Sequence, residues 1–240
     1  MSVLSFLKSS ILSKIVMAVT GFILIFYIIV HTMGNLAIYW GPDAINSWSE
    51  FLHSLGVGLW IVRIGLIVAA ILHIWTAISL KLDNMDAKPD KYVVRKYIKA
   101  KLTSRTMLWT GVAILLFVIY HLAHFTLHLT NPADVAEEIY VPQHLIAANS
   151  AVHIIRTDVY RMVVLGFQNP LISLAYVVAV VIVGFHLNHA IQSMCQTLGW
   201  NHPSYFPKIQ ATSVTLSIVI TLCLVSIPIS VLLGIVGGAV

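Results

Sequence analysis

Ile15 to Trp40 reads IVMAVTGFILIFYIIVHTMGNLAIYW, an apolar run with no acidic or basic side chain and one histidine, His31, about two thirds of the way along. At roughly 1.5 Å per residue a helix of this length crosses a hydrocarbon core of about 30 Å. His31 then lies at membrane depth, where an ionisable side chain is costly and marks a functional site by default. The bland alternative is a neutral imidazole hydrogen-bonded to a neighbouring helix. One histidine does not separate the two readings, so the rest of the chain has to.

Composition extends the membrane reading to the whole chain. Of 240 residues, 59% are hydrophobic and 10% charged, and the mean hydropathy is +0.91, values that exclude a water-soluble globular domain. Spanning backbone must satisfy its own hydrogen bonds, which leaves helices or a closed barrel. Continuous apolar runs, rather than short alternating segments, select helices. Lys8 and Lys14 precede the first run as in a signal peptide. That run is too long for a signal core and lacks a small-residue cleavage site, so it reads as a retained span. Cys195 and Cys223 are far apart and no C-x-x-C-H occurs, so any haem is held non-covalently, as b type.

The predicted fold is all-α and integral to the membrane, one domain of five spans: about 15–40, 59–80, 106–129, 170–198 and 209–233. Gly41-Pro42-Asp43 breaks the first span, and the mixed stretch that follows lies at the interface. Between the second and third spans Lys81, Lys88, Lys91, Arg95, Lys96, Lys99, Lys101 and Arg105 outnumber three aspartates. With Lys8 and Lys14, this excess places the N-terminus and the loop in the cytoplasm. Ser104 is the expected N-cap of the third span, and Asn169-Pro170 opens the fourth. The loop from Asn131 to Asn169 is acidic, which suits the outer face, and residues 144–164 within it have the periodicity of an amphipathic helix. Pro228 is a kink site near the outer end of the fifth span. No internal repeat stands out.

Depth along each span groups four histidines. His31 lies about 25 Å beyond Lys14 and His121 about 24 Å beyond Arg105, both in the outer half. His73 lies about 12 Å before Lys81 and His186 about 15 Å before Gln196, both in the inner half. Two imidazoles facing each other across a bundle fill both axial positions of a haem iron, the arrangement for electron transfer rather than oxygen binding. His31 with His121, and His73 with His186, are thus the expected iron ligands, with the first four spans as a haem-binding bundle. Arg63 near the outer haem, and Lys14 and Arg105 near the inner one, are candidates to neutralise propionates, against ordinary interfacial snorkelling. His124, His128 and His189 are the competing ligands; His124 and His189 each follow a favoured histidine by three residues and share its face.

At these residues the chain resembles the five-helix, di-haem cytochrome b subunit of succinate:quinone oxidoreductases and quinol:fumarate reductases. The resemblance rests on SSILSKIVMAVTGFILIFYIIVHTMGNL, NSWSEFL, RIGLIVAAILHIW, SRTMLWTGVAILLFVIYHLAHF, VYRMVVLGFQNP and GFHLNHAIQSMCQTLGWNH, and covers nearly the whole chain. It implies one histidine ligand in each of the first four spans, at His31, His73, His121 and His186, with the inner haem on His73 and His186 and the outer on His31 and His121. It also implies partners: a FAD-bearing flavoprotein subunit and an iron–sulfur subunit on the cytoplasmic face, an inner-membrane location and trimers of the whole complex. The chain has neither a dinucleotide fingerprint nor a cysteine cluster of its own. The subunit is then an electron-transfer member of an enzyme complex whose succinate chemistry occurs elsewhere, with menaquinone the expected quinone.

A quinone site near the outer haem would draw on Glu50, His53, Trp60 and Arg63, with Glu50 or His53 exchanging protons. Trp48 and Trp60 also suit the role of interface anchors. No span contains Asp or Glu, which argues against a carboxylate proton relay across the membrane. Two other readings stand beside this one. The first is the quinone-linked cytochrome b subunit of a hydrogenase, formate dehydrogenase or nitrate reductase. The second is a haem-free, histidine-lined metal or proton transporter, for which acidic partners or broken helices at the midplane are the missing signs.

Overall fold

The computed structural model describes residues 9–87, 102–140 and 154–238. Lys8, the basic residues from Lys88 to Lys101, and residues 144–153 of the proposed amphipathic segment lie outside them. Five helices are long and apolar enough to cross a membrane, so the chain has the all-α architecture of a multi-pass membrane protein.

Helix α1 (Ser10–Leu36) continues as a 3-10 turn (Ala37–Trp40) and stops at Gly41, whose φ of 98° lies in the left-handed region that favours glycine. Pro42 then opens α2 (Pro42–Ser54), where its missing N–H costs nothing. Helix α3 (Val57–Asp86) overruns the expected end at Leu80, because Lys81 to Asp86 bring charged and polar residues but neither glycine nor proline to break a helix. A short turn α4 (Leu102–Arg105) precedes α5 (Met107–Phe125). Ser104 sits inside that turn and does not cap the span. The N–H of Thr110 donates to the Thr106 carbonyl at 2.9 Å, so the span's first turn closes on Thr106. After Phe125 the chain folds back, Leu129 N–H donating to the Ala123 carbonyl at 2.7 Å, and His128 takes a φ of 53° outside the helix.

A 3-10 turn (Pro132–Asp134) leads to β1 (Glu137–Tyr140), antiparallel to β2 (Ile154–Thr157) with Glu137 opposite Thr157 and Tyr140 opposite Ile154. The amphipathic helix predicted for residues 144–164 is therefore corrected at 154–157. Two isoleucines and a threonine in four residues favour a pleated strand, and the antiparallel partner satisfies their backbone. Asp158 then accepts from Arg161 N–H at 3.0 Å and caps α6 (Val159–Gln168). Asn169 caps α7 (Pro170–Thr197) as expected, accepting from Leu171 N–H at 3.0 Å. Helix α8 (Phe206–Leu232) runs through Pro228 without interruption.

The chain divides into two compact units. One comprises Met1–Val30, Trp60–Ala113 and Ile182–Thr221; the other comprises His31–Leu59, Ile114–Val181 and Leu222–Val240. In the first, α7 and α8 are joined by a polar knot: Gln192 Nε2 donates to Asn188 Oδ1 and to Ser213 Oγ, both at 2.8 Å. Between packed membrane helices such bonds replace hydrophobic attraction as the specific glue. In the second unit, a core of Ile38, Ile45, Val163, Val164, Phe167, Tyr176, Ile227 and Val231 ties α2 and α6 to the spans. Its polar seam is equally specific. Buried Asn46 donates to Asp158 Oδ1 at 3.1 Å and accepts from Tyr160 N–H at 2.9 Å, and the buried Arg156 pairs with Asp43 at 2.7 Å. Exposed tryptophans at span ends (Trp40, Trp60, Trp109, Trp200) stand where an interfacial aromatic belt belongs.

Candidate functional site

Each compact unit contains two of the four singled-out histidines. In the second unit, α1 supplies His31 and α5 supplies His121, and their ring centroids are 5.8 Å apart with planes 86° to one another. Phe117, Phe125 and Tyr176 pack around His121 at 5.8–5.9 Å as an aromatic collar. His121 Nδ1 is buried without a hydrogen-bond partner among the described residues. His124 Nε2 is in the same position, and leaving a buried polar atom unmatched costs about 1–3 kcal/mol.

In the first unit, α3 supplies His73 and α7 supplies His186. Both are held through Nδ1. His73 Nδ1 is 3.3 Å from Thr20 Oγ1, and His186 Nδ1 is 3.0 Å from Thr110 Oγ1. Each ring also lies over a glycine: a Cβ on Gly21 would stand 3.4 Å from His73 Cε1, and one on Gly111 3.7 Å from His186 Cε1. Thr20, Gly21, Thr110 and Gly111 escaped the sequence reading, although their placement left a signal. The same Thr-Gly pair stands eleven residues before His31 and before His121.

The spacing of His31 and His121 fits a haem. An imidazole–iron–imidazole sandwich with metal–nitrogen bonds of about 2 Å places the ring centroids about 6 Å apart, and His31 and His121 stand at 5.8 Å. The macrocycle supplies the other four iron ligands, so two side chains suffice. Among the described residues no group of three or more His, Cys, Asp or Glu could hold a bare metal ion, whereas a closed zinc site takes four ligands.

No family model, no curated protein and no solved structure matches the chain.

The competing histidines have other surroundings. His124 is 2% exposed, its Nδ1 is 3.0 Å from the Tyr176 hydroxyl, its ring stacks on Phe125 at 3.9 Å, and a Cβ on Gly166 would stand 3.0 Å from its Nε2. It is packed among side chains and backbone, and its Nε2 is buried without a hydrogen-bond partner among the described residues. The propionate candidates are placed differently from one another. Lys14 and Arg105 are exposed, while Arg63 is half-buried with its guanidinium 5.2 Å from the Trp60 ring centroid. Of the quinone candidates, Trp60 is exposed, Glu50 is half-buried on α2, and His53, one turn further, is exposed with Nδ1 2.9 Å from the Ser49 carbonyl.

Proposed function

We propose that this chain is the membrane-anchor and electron-transfer subunit of a succinate:quinone oxidoreductase, holding two b haems and passing electrons from an iron–sulfur subunit to a quinone, menaquinone on this reading. The observation that carries the proposal is the meeting of His31 and His121, from two different apolar helices, at a ring spacing of 5.8 Å that leaves room for a shared iron. The resemblance of the flanking segments supplies the identity of the complex.

Haem, when bound, supplies a one-electron couple; the side chains hold it and decide what reaches it. His31 and His121 would hold the outer haem and His73 and His186 the inner one, each through an imidazole nitrogen offered to the iron. Phe117, Phe125 and Tyr176 pack around His121. Lys14, Arg63 and Arg105 offer charge-assisted hydrogen bonds to propionates. Glu50 or His53, on α2, exchanges protons with the quinone. The flavoprotein and iron–sulfur subunits dock on the cytoplasmic side of the inner membrane, where the N-terminus and the basic loop lie.

The test is the assembled complex, co-expressed with both partner subunits in membranes. Succinate is expected to reduce haem in the chain and then a quinone analogue. Alanine at His31 or His121 removes one haem, and alanine at His73 or His186 removes the other. Retention of both haems after His121→Ala overturns the assignment.

A further inference from the structure

The first unit contains a device that the proposed function does not require but that decides how its histidines present themselves. Thr20 Oγ1 lies 2.7 Å from the Val16 carbonyl and 3.2 Å from that of Met17, against 3.3 Å from His73 Nδ1. A carbonyl can only accept, so the hydroxyl proton goes to the backbone and the oxygen's lone pairs face the ring. His73 Nδ1 must then be the donor. Thr110 repeats the arrangement for His186, with the Thr106 and Met107 carbonyls at 3.2 and 3.0 Å and His186 Nδ1 at 3.0 Å.

We propose that Thr20 and Thr110 are positioning residues that hold His73 and His186 as Nδ1–H tautomers, leaving Nε2 of each ring as the free lone pair for iron. This rests on the haem reading above. A neutral imidazole has one protonated and one bare nitrogen, and the bond made by the first decides which is which. Partners of this kind fix ring orientation and raise ligand basicity. Gly21 and Gly111 lie beside these rings, a Cβ on either meeting Cε1 at ordinary contact distance, 3.4 and 3.7 Å. The two modules are alike in sequence as well: Thr-Gly, then the helix's own histidine eleven residues after the threonine, on α1 and again on α5. Eleven residues are about three turns, so threonine and histidine share a face of their helix. Each of these two helices thus supplies a ligand to one haem and a second partner to the ligands of the other.

The experiment replaces each threonine by valine, which has the same shape without the hydroxyl, and by serine, which keeps it. In the holo-protein, Thr20→Val and Thr110→Val are expected to weaken the hold on oxidised relative to reduced iron by up to about tenfold. For one electron that moves the midpoint potential of one haem upward by up to about 59 mV. The other haem stays in place as an internal reference, and Thr20→Ser and Thr110→Ser restore the parent value. In the haem-free chain labelled with 15N-histidine, each valine variant is expected to lose one Nδ1-protonated ring signal. Unchanged potentials, haem content and 15N signals in both valine variants overturn the proposal. A wild-type chain that takes up no haem overturns the functional reading instead, and the 15N signals still decide whether the threonines set the tautomers.

Discussion

Gly34 stands three residues after His31 on α1, and a methyl group there has nowhere to go. Its Cβ would overlap Trp48 Nε1 and stand 2.9 Å from Cε2 and 3.0 Å from Cδ1 of the same indole. Trp48 is rigid, half-buried and packed against Phe51 at 5.7 Å, so the strain falls on the spacing between α1 and α2. Overpacking of this kind costs about 1–3 kcal/mol. Replacing glycine by alanine inside a helix returns about 1 kcal/mol. Gly65→Ala supplies the control, because a Cβ at Gly65 meets nothing within 4 Å and keeps only the favourable part. The two variants should therefore differ by about 1–3 kcal/mol, or roughly 2–12 °C in apparent Tm for a chain of this size. The assay is thermal unfolding of detergent-purified protein at one scan rate, with Gly34→Ala below the parent and Gly65→Ala at or above it. A Gly34→Ala variant as stable as Gly65→Ala would refute the close approach of α1 to Trp48.

Three further outcomes are expected. Asp43→Ala weakens the pairing of the buried Arg156 guanidinium, so it should lower Tm more than the Asp43→Ala/Arg156→Met double variant, in which no buried charge remains; the two unfolding curves decide it. Gln192→Leu removes two 2.8 Å bonds, one to Ser213 that joins α7 to α8 and one to Asn188 within α7, and, at about 0.6 kcal/mol for each in a membrane interior, should cost about 1 kcal/mol, read as the same kind of Tm shift. The 86° angle between the His31 and His121 rings, carried over to a shared iron, leaves the ferric π-symmetry orbitals nearly degenerate, so electron paramagnetic resonance of the outer haem should show a single strongly shifted low-field feature rather than a three-line rhombic spectrum.

The five spans could be read directly because an apolar run at membrane length admits one structure. Their ends were less readable. Helix α3 continues to Asp86 because polar residues end a hydrophobic stretch without ending a helix, and Ser104 loses its capping role to Thr106. Residues 154–157 carried an amphipathic pattern that suits helix or strand, and pairing with β1 decides between them. The seam of Asn46 with Asp158 joins residues 112 apart in sequence, a contact that no local pattern encodes. Helix geometry gave the depths of His31 and His121, which do meet. Thr20 and Thr110 went unnoticed because an intrahelical threonine looks like packing until the ring beside it is seen.

The most direct test of the account is the haem content of the intact, detergent-purified chain, by pyridine haemochrome assay with a reduced-minus-oxidised spectrum. Two b haems per chain with low-spin, bis-histidine bands are predicted. Folded protein that binds no haem when haem is supplied during expression would contradict it.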